Sequence, residues 1–277
     1  MATKNSNPVA RLADGSVEVL TVTMFSQPAR IRQTKRLLSL SIVIPAYNEE
    51  KRLPASLDRI LEFTGSQKWR FLEVLVVDDG SRDGTAELVE RYAARFSAIR
   101  LLRNPGNRGK GYAVRHGMKE AKGEWRLITD SDLSAPIEEL EKLVAAATQQ
   151  GAVIAIGSRA VDRSLVSVHQ PLGRELSGRF FNLVMRLFTG LPFLDTQCGF
   201  KLYHARAAEV IFPRQQLDGF GFDVENLFIG KCHQLKAVEV PVRWANVEGT
   251  RVGLLSGVRA FVDLVQIRGN QLKGLYR

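Results

Sequence analysis

A doubly wound, mainly parallel α/β sheet with helices on both faces is the architecture this sequence predicts, and three observations predict it. Apolar runs of strand length alternate with segments whose apolar residues recur at helical spacing, from Leu40 to Ile156. Three of the strands end in polar, acid-bearing clusters, which gathers chemistry at one edge of one sheet. The 277 residues, 45% hydrophobic and 25% charged, have the composition of an ordinary globular protein and the length to bury a large core without cross-links.

The elements follow in order. Residues 1–38 contain Asn-Pro, Asp-Gly and Gln-Pro breaks and no sustained period, so they read as a loose arm in which Val17–Phe25 alternates weakly enough for a short strand. Leu40–Ile44 is an apolar run ended by Pro45. Glu49–Phe63 carries Leu53, Leu57, Ile60 and Leu61 at helical spacing. Phe71–Val77 is a second strand, and Asp83–Phe96 a helix whose acidic first turn suits the helix dipole. Ile99–Leu102 is a third strand, Arg108–Ala121 a helix, and Trp125–Thr129 a fourth strand. Pro136–Gln150 is a helix with proline at its start, and Ala152–Ile156 a fifth strand. The organisation expected is an arm over 1–38, an α/β domain over 39–253, and a basic amphipathic helix over 254–277.

Three clusters stand at the carboxyl ends of strands: Pro45-Ala-Tyr47-Asn-Glu49, Asp78-Asp79-Gly-Ser, and Asp130-Ser-Asp132. In extended backbone, residues i and i+2 point the same way, so Asp130 and Asp132 can converge on one hard divalent cation such as Mg²⁺ or Mn²⁺. The plainer reading is a turn in which Asp132 caps the following helix. Asp78 and Asp79 suit the polar edge of a nucleobase or ribose hydroxyls, or else serve as strand-end turn and cap residues. Asn104 to Gly111 forms a basic, glycine-rich opening to a helix, whose backbone amides and Lys110 suit an anion. Neither a Walker A loop nor a dinucleotide fingerprint is present.

Together PAYNE, VDDGSRDGT, NRGKGYA and TDSD, in this order and spacing, resemble the family 2 inverting glycosyltransferases of GT-A fold. Downstream, AIGSR (155–159), DTQCGFKLY (195–203), GFDVE (221–225) and the Trp244…Glu-Gly-Thr-Arg251 stretch resemble the dolichyl-phosphate β-glucosyltransferase branch. That resemblance covers about 40–268, with TQCGFKL its most specific part; an EGSK-like stretch of the family reads Glu-Gly-Thr-Arg here, and the membrane helix that opens eukaryotic members has residues 1–38 in its place. It implies transfer of glucose from UDP-glucose to a dolichyl or other polyprenyl phosphate with inversion, dependent on Mg²⁺ or Mn²⁺. By the same resemblance Pro45, Tyr47, Glu49, Asp78, Asp79, Lys110 and Arg251 hold the nucleotide, and Asp130 and Asp132 the metal and diphosphate. Arg159, Arg174, Ser177 and Arg179 hold the acceptor phosphate, Asp195 stands near the anomeric carbon, and Gln197 and Asp223 line the sugar pocket. Another nucleotide sugar (GDP-mannose, UDP-N-acetylglucosamine), a soluble acceptor, or a sugar-nucleotide binding module without turnover are the alternatives. Retention of both Asp130 and Asp132, a costly like-charge pair, speaks against the last.

The net charge of +10 is concentrated at the ends: residues 1–36 and 243–277 each carry six Lys/Arg against two acids. Such ends suit an anionic surface. From Leu254 onward, Leu255, Val258, Phe261, Val262, Val265 and Leu272 are interleaved with Arg259, Arg268, Lys273 and Arg277, a pattern that lies in a membrane interface or packs on the domain itself. Nucleic acid is not expected, because the core lacks a basic stripe with stacking aromatics. Two cysteines, Cys198 and Cys232, with no Cys-x-x-Cys pair exclude a disulfide scaffold and a structural zinc site. With neither a membrane-length apolar run nor a secretion signal, the expected location is the cytoplasm, peripheral on the cytoplasmic face of a membrane.

Overall fold

The computed structural model describes residues 37–168, 183–245 and 255–277, the side chains of 168 and 255–260 excepted. The arm and its Val17–Phe25 strand lie outside the described residues, as do Arg174, Ser177, Arg179 and Arg251.

Seven strands form the main sheet. They are β1 (Ser39–Ala46), β2 (Phe71–Asp78), β3 (Ile99–Arg103), β4 (Trp125–Ile128), β5 (Ile154–Ser158), β7 (Lys201–His204) and β8 (Ala237–Pro241), in the spatial order β3-β2-β1-β4-β7-β5-β8. All neighbours pair in parallel except β7, which runs antiparallel to both β4 and β5. A two-stranded sheet joins β6 (Val166–Val168) to β9 (Trp244–Ala245). The sheet is therefore mainly parallel, as expected, with one reversed strand wedged into its middle. That strand makes the halves on either side one continuous sheet.

Period-two alternation builds a core on each face. Leu40, Ile42, Ile44, Val74 and Val76 face one side, where they meet α1 (Leu53–Gly65), α2 (Thr85–Arg95) and α4 (Leu140–Gln150). Val43, Leu75 and Val77 face the other, against α3 (Lys110–Glu120), α5 (Ala205–Ile211), α6 (Phe222–Cys232) and α7 (Leu255–Leu272). Leu57 and Ile60 on α1 are fully buried, each contributing roughly 1.5–3 kcal/mol of transfer free energy.

Several boundaries differ from the sequence expectation, each for a local reason. Strand β1 runs through Pro45 to Ala46. The β4 partner of β1 ends opposite Val43, where the Thr129 N–H reaches the Val43 carbonyl, so the nitrogen of Pro45 falls beyond that ladder and its missing hydrogen costs nothing. The second helix starts at Thr85, because Asp83 folds back to accept the Thr85 N–H and hydroxyl. The fourth opens with a 3₁₀ turn at Ile137–Glu139 before α4 begins.

Candidate active site

The carboxyl ends of β1, β2 and β4 meet at one edge, and hydrogen bonds between their loops fix them there. Asn48, at φ 54°, donates its N–H to Ser81 Oγ (2.9 Å) and accepts from Arg82 N at 2.7 Å, while Glu49 N donates to Thr85 Oγ1 at 2.8 Å. Asparagine tolerates this left-handed conformation better than most residues. The Glu49 carboxylate is buried and engaged by Arg52 through Nε (2.7 Å) and Nη2 (2.5 Å), so it braces the loop. Tyr47 and Pro45 stand in the same loop, Tyr47 half-buried.

Asp78 and Asp79 behave differently. Asp78 is buried and uses Oδ1 to accept the Ser81 N–H at 3.1 Å. Asp79 accepts from Asn104 Nδ2 (2.7 Å), Arg108 N (3.1 Å) and Gly109 N (2.7 Å), and the Asn104 Oδ1 in turn bonds His116 Nδ1 at 2.7 Å. The backbone amides of the glycine-rich loop, expected to be offered to a ligand anion, thus enclose the protein's own carboxylate. The N–H groups of Gly111 and Tyr112 go to the Asp218 carbonyl. Gly109 makes this wrapping feasible: its φ is 108°, and a Cβ would lie 2.4 Å from the Asp218 oxygen. What the loop presents to the strand edge is Lys110.

Lys110 Nζ donates to Asp130 Oδ1 at 2.5 Å. Burial pushes the Asp130 carboxyl up, but Lys110, Lys201 and Arg159 outweigh it and hold the group below the ordinary carboxylate range. Burial likewise works against the Lys110 ammonium, yet Asp130, Asp223 and Asp132 raise its pKa. Asp132 accepts the Ser134 N–H and hydroxyl through Oδ1 alone (3.0 and 2.9 Å). It caps that turn, and no helix as the plainer reading had it.

The residues beyond β5 form a second charged pair. Asp195 accepts from Arg159 Nε (2.6 Å), Nη2 (2.8 Å) and N (3.0 Å), and from Gln197 N at 3.2 Å. Arg159 also lies over the Trp244 ring, 5.3 Å from its centroid. Burial would raise the Asp195 carboxyl, and Arg159 reverses this and holds it low. An ionised carboxylate tied on both oxygens is a poor proton acceptor, so this geometry makes Asp195 the partner that orients Arg159. Gln197 itself is exposed.

A third pair lies deepest. Lys201, on the reversed strand β7, donates to Asp223 Oδ1 and to the Cys198 carbonyl, both at 2.5 Å. Burial raises the Asp223 pKa even against Lys201 and Lys110. Lys201 escaped the sequence reading; a lysine between Phe200 and Leu202 is the signal that could have found it, since such a charge inside an apolar strand requires a buried partner. Arg52 and Asn104 were also missed. The Cys198 thiol is pushed up to about 11 by burial and Asp195, consistent with an inert packed thiol.

A narrow crevice lined by Thr129, Asp130, Ser134, Cys198, Gly199 and Trp244 marks the edge. A larger cleft of about 180 Å³, on the outer side of α3 between Asn104, Tyr112, Arg115, His116 and Lys119, holds none of these carboxylates. Among the described residues no cluster of three or more His, Cys, Asp or Glu could hold a metal by itself. Asp130 and Asp132 nevertheless offer oxygen donors that fit a hard divalent ion, which is commonly shared between one or two carboxylates and substrate phosphates.

Known proteins resemble this chain in family and fold. The model of "Glycosyl transferase family 2" matches residues 41–212. "Dolichyl-phosphate beta-glucosyltransferase ALG5C" of Trichomonas vaginalis is 37% identical over 235 residues, which is 82% of this chain and 70% of that protein. The human dolichyl-phosphate beta-glucosyltransferase is 33% identical over 250 residues, 86% of this chain and 77% of the other. Among solved structures, glucosyl-3-phosphoglycerate synthase from Mycobacterium tuberculosis, in complex with Mn²⁺, UDP-glucose and glycerol 3-phosphate, has a TM-score of 0.58 at 21% identity, covering 84% of this chain and 80% of its own. Mannosyl-3-phosphoglycerate synthase from Rubrobacter xylanophilus has a TM-score of 0.61 at 17% identity, covering 86% and 74%. At these identities the structural likeness bears on the fold.

Proposed function

The chain belongs to glycosyl transferase family 2, and on that premise we propose that this GT-A enzyme moves glucose from UDP-glucose to a dolichyl or other polyprenyl phosphate, with inversion. The relatives' names supply the reaction, and the observation that carries it onto this chain is the set of three ion pairs gathered at one sheet edge: Lys110–Asp130, Arg159–Asp195 and Lys201–Asp223. They bring cations and carboxylates together where the strand ends open.

Inversion requires a single displacement. An acceptor phosphate oxygen attacks the anomeric carbon from the side opposite UDP, a bond to carbon forms, and the bond to the diphosphate oxygen breaks. Because the acceptor phosphate is already ionised near neutral pH, it needs little help from a base, and placement and charge carry most of the acceleration. This division of labour agrees with Asp195 being spent on Arg159. Lys110 lies where it can turn from Asp130 to a diphosphate oxygen. Arg159, steered by Asp195 and Trp244, is offered to the acceptor phosphate together with Arg174, Ser177 and Arg179, and its planar fork suits phosphate oxygens. Asp78, Tyr47 and Pro45 border the nucleoside, with Asp79 and Glu49 shaping the walls from behind; Arg251 is assigned to the nucleotide phosphates. Asp223 and Gln197 are assigned to sugar hydroxyls. Mg²⁺ or Mn²⁺, held by Asp132 with Asp130 beside it, would neutralise the charge of the departing diphosphate.

The enzyme works, in this reading, as a peripheral protein on the cytoplasmic face of a membrane, where its lipid acceptor resides. The test is transfer of radiolabel from UDP-glucose to polyprenyl phosphate with Mn²⁺, comparing wild type with Asp132→Ala. Lipid-extractable label that vanishes in the variant is the expected result. Turnover of GDP-mannose alone would remove glucose, and UDP-glucose binding without any transfer would point to a binding module.

A further inference from the structure

Two helical segments on the α6 side of the sheet lie together. Arg268 Nε on α7 donates to the Phe188 carbonyl at 2.6 Å, joining α7 to the helical residues 183–189. Each has an inward face: Leu264 and Ile267 on one, Met185 and Thr189 on the other, are buried in the core. Lys231 Nζ fixes the end of the shorter helix by donating to the carbonyls of Thr189 (3.0 Å) and Gly190 (2.8 Å).

Their outward faces are apolar. Leu183, Leu187 and Phe188 on one helix, and Val262, Val265 and Leu272 on the other, are all exposed; Leu272 is 88%, Leu187 75% and Val265 62% open. Leu183 and Leu187 are one turn apart, as are Val262 and Val265, so each trio forms a stripe. Single apolar residues scatter over any protein surface, but a shared stripe on two tethered helices marks an interaction site. Exposed Arg186, Arg268 and Lys273 flank it, and the only acid within 183–189 and 261–277 is Asp263, which is buried. Among the described residues no helix is long and apolar enough to cross a membrane.

We propose that this two-helix face seats the protein in the head-group layer of an anionic phospholipid bilayer. The inference rests on the lipid-acceptor reading above for its purpose and on the face itself for its chemistry. An apolar stripe edged by cations matches a layer with acyl chains below and phosphates at the rim. A second copy of the same face would set cationic rim against cationic rim.

The full chain is sedimented with extruded vesicles of phosphatidylcholine alone or with about a quarter phosphatidylglycerol, a content that sets a negative surface potential. Wild type should pellet with the anionic vesicles and release as salt rises. The Leu187→Glu, Val265→Glu double variant should lower partitioning by about tenfold or more, and Lys273→Glu by about fivefold or more. Both should still transfer glucose to a short, water-soluble prenyl phosphate at the wild-type rate, which shows that they are folded. Wild type that stays in the supernatant with either vesicle overturns the proposal, as does unchanged binding in the double variant. A wild-type dimer that the double variant splits, read by light scattering, overturns it in favour of a second copy. Vesicle binding without turnover of any prenyl phosphate keeps the docking face and removes the glucosyl-transfer reading.

Discussion

Gly199 lies within the TQCGFKL run, and its value is space. A Cβ at this position would lie 2.1 Å from Asp130 Oδ2, 2.4 Å from Cγ and 2.6 Å from Oδ1. Carbon and oxygen cannot share that volume, so Gly199→Ala must drive the carboxylate back by about 1 Å or more, given a contact optimum near 3.5 Å. The retreat separates it from Lys110 Nζ, now 2.5 Å away. Stability should hardly register this, because the pair is part-exposed (24% and 31%) and such pairs contribute about 0–1 kcal/mol. The backbone does not object either, since the φ of Gly199 lies outside the left-handed region, and alanine gives back about 0.4–1 kcal/mol through the unfolded chain. Activity is another matter, because a displacement of about 1 Å at a reacting centre costs on the order of a hundredfold. The assay pairs kcat/KM for glucose transfer with a thermal melt, for Gly199→Ala, Asp130→Ala and the double variant. A hundredfold loss with Tm almost unmoved is expected in Gly199→Ala, and no further loss when alanine at 199 is added to Asp130→Ala. Wild-type turnover in Gly199→Ala, or two losses that multiply, would refute the reasoning.

The other predictions concern the same edge. Arg159→Ala leaves the Asp195 carboxylate buried and without its guanidinium, a loss of about 3 kcal/mol that should lower Tm by roughly 6–12 °C; Arg159→Lys should fall between, and equal melts for all three would contradict it. The depressed Asp195 pKa contributes stability that is present above the unfolded value near 3.9 and is lost as pH falls through the folded one. The Tm gap between wild type and Asp195→Asn should therefore stay level from pH 7 to about 4 and close below that; a gap that instead narrows on going from pH 5 to pH 7 has the wrong sign. Chelation should abolish transfer and Mn²⁺ restore it, with Asp132→Asn raising the metal needed for half-maximal rate by about tenfold or more and leaving the acceptor KM in place.

The sequence made the alternation plain because the first two strands that carry it read as nearly continuous apolar runs, interrupted only by Ser41 and Glu73, which hydrogen-bond each other in the buried sheet. Leu40–Ile44 and Phe71–Val77 needed no context to be recognised. Strand β7 was different. Its Lys201-Leu-Tyr-His has a lysine where a central strand should be apolar, and antiparallel insertion between β4 and β5 is decided by long-range pairing that no local period records. The aspartates were legible as a cluster, but not their allegiances. Asp79 looked like a ligand group and is a tether for residues 104–109, because only the folded loop shows that the N–H groups of Arg108 and Gly109 converge on it. The apolar stripe of the last helix held two readings at once. Period gave Phe261, Val262, Val265 and Leu272 as one face, and the structure buries Leu264 and Ile267 in their stead.

The three ion pairs differ in depth, and depth decides which can change partners. Lys110–Asp130 is the most open, Arg159–Asp195 is open on the arginine side alone (29% against 8%), and Lys201–Asp223 is closed on both (1% and 7%). Separating an exposed pair costs up to about 1 kcal/mol, whereas removing one partner of a buried pair costs about 3–5 kcal/mol. In the proposed reading a diphosphate draws Lys110 from Asp130, because this part-buried pair is more open than the other two. Arg159 can meet a phosphate through Nη1, which makes no hydrogen bond among the described residues, without leaving Asp195 at all. Lys201 cannot leave Asp223, and it adds a fixed positive potential that both Asp130 and Asp195 feel. On that proposal the outer pair exchanges, the middle pair extends, and the inner pair stays, so the site gains two phosphate-bearing ligands while its buried charge remains compensated throughout.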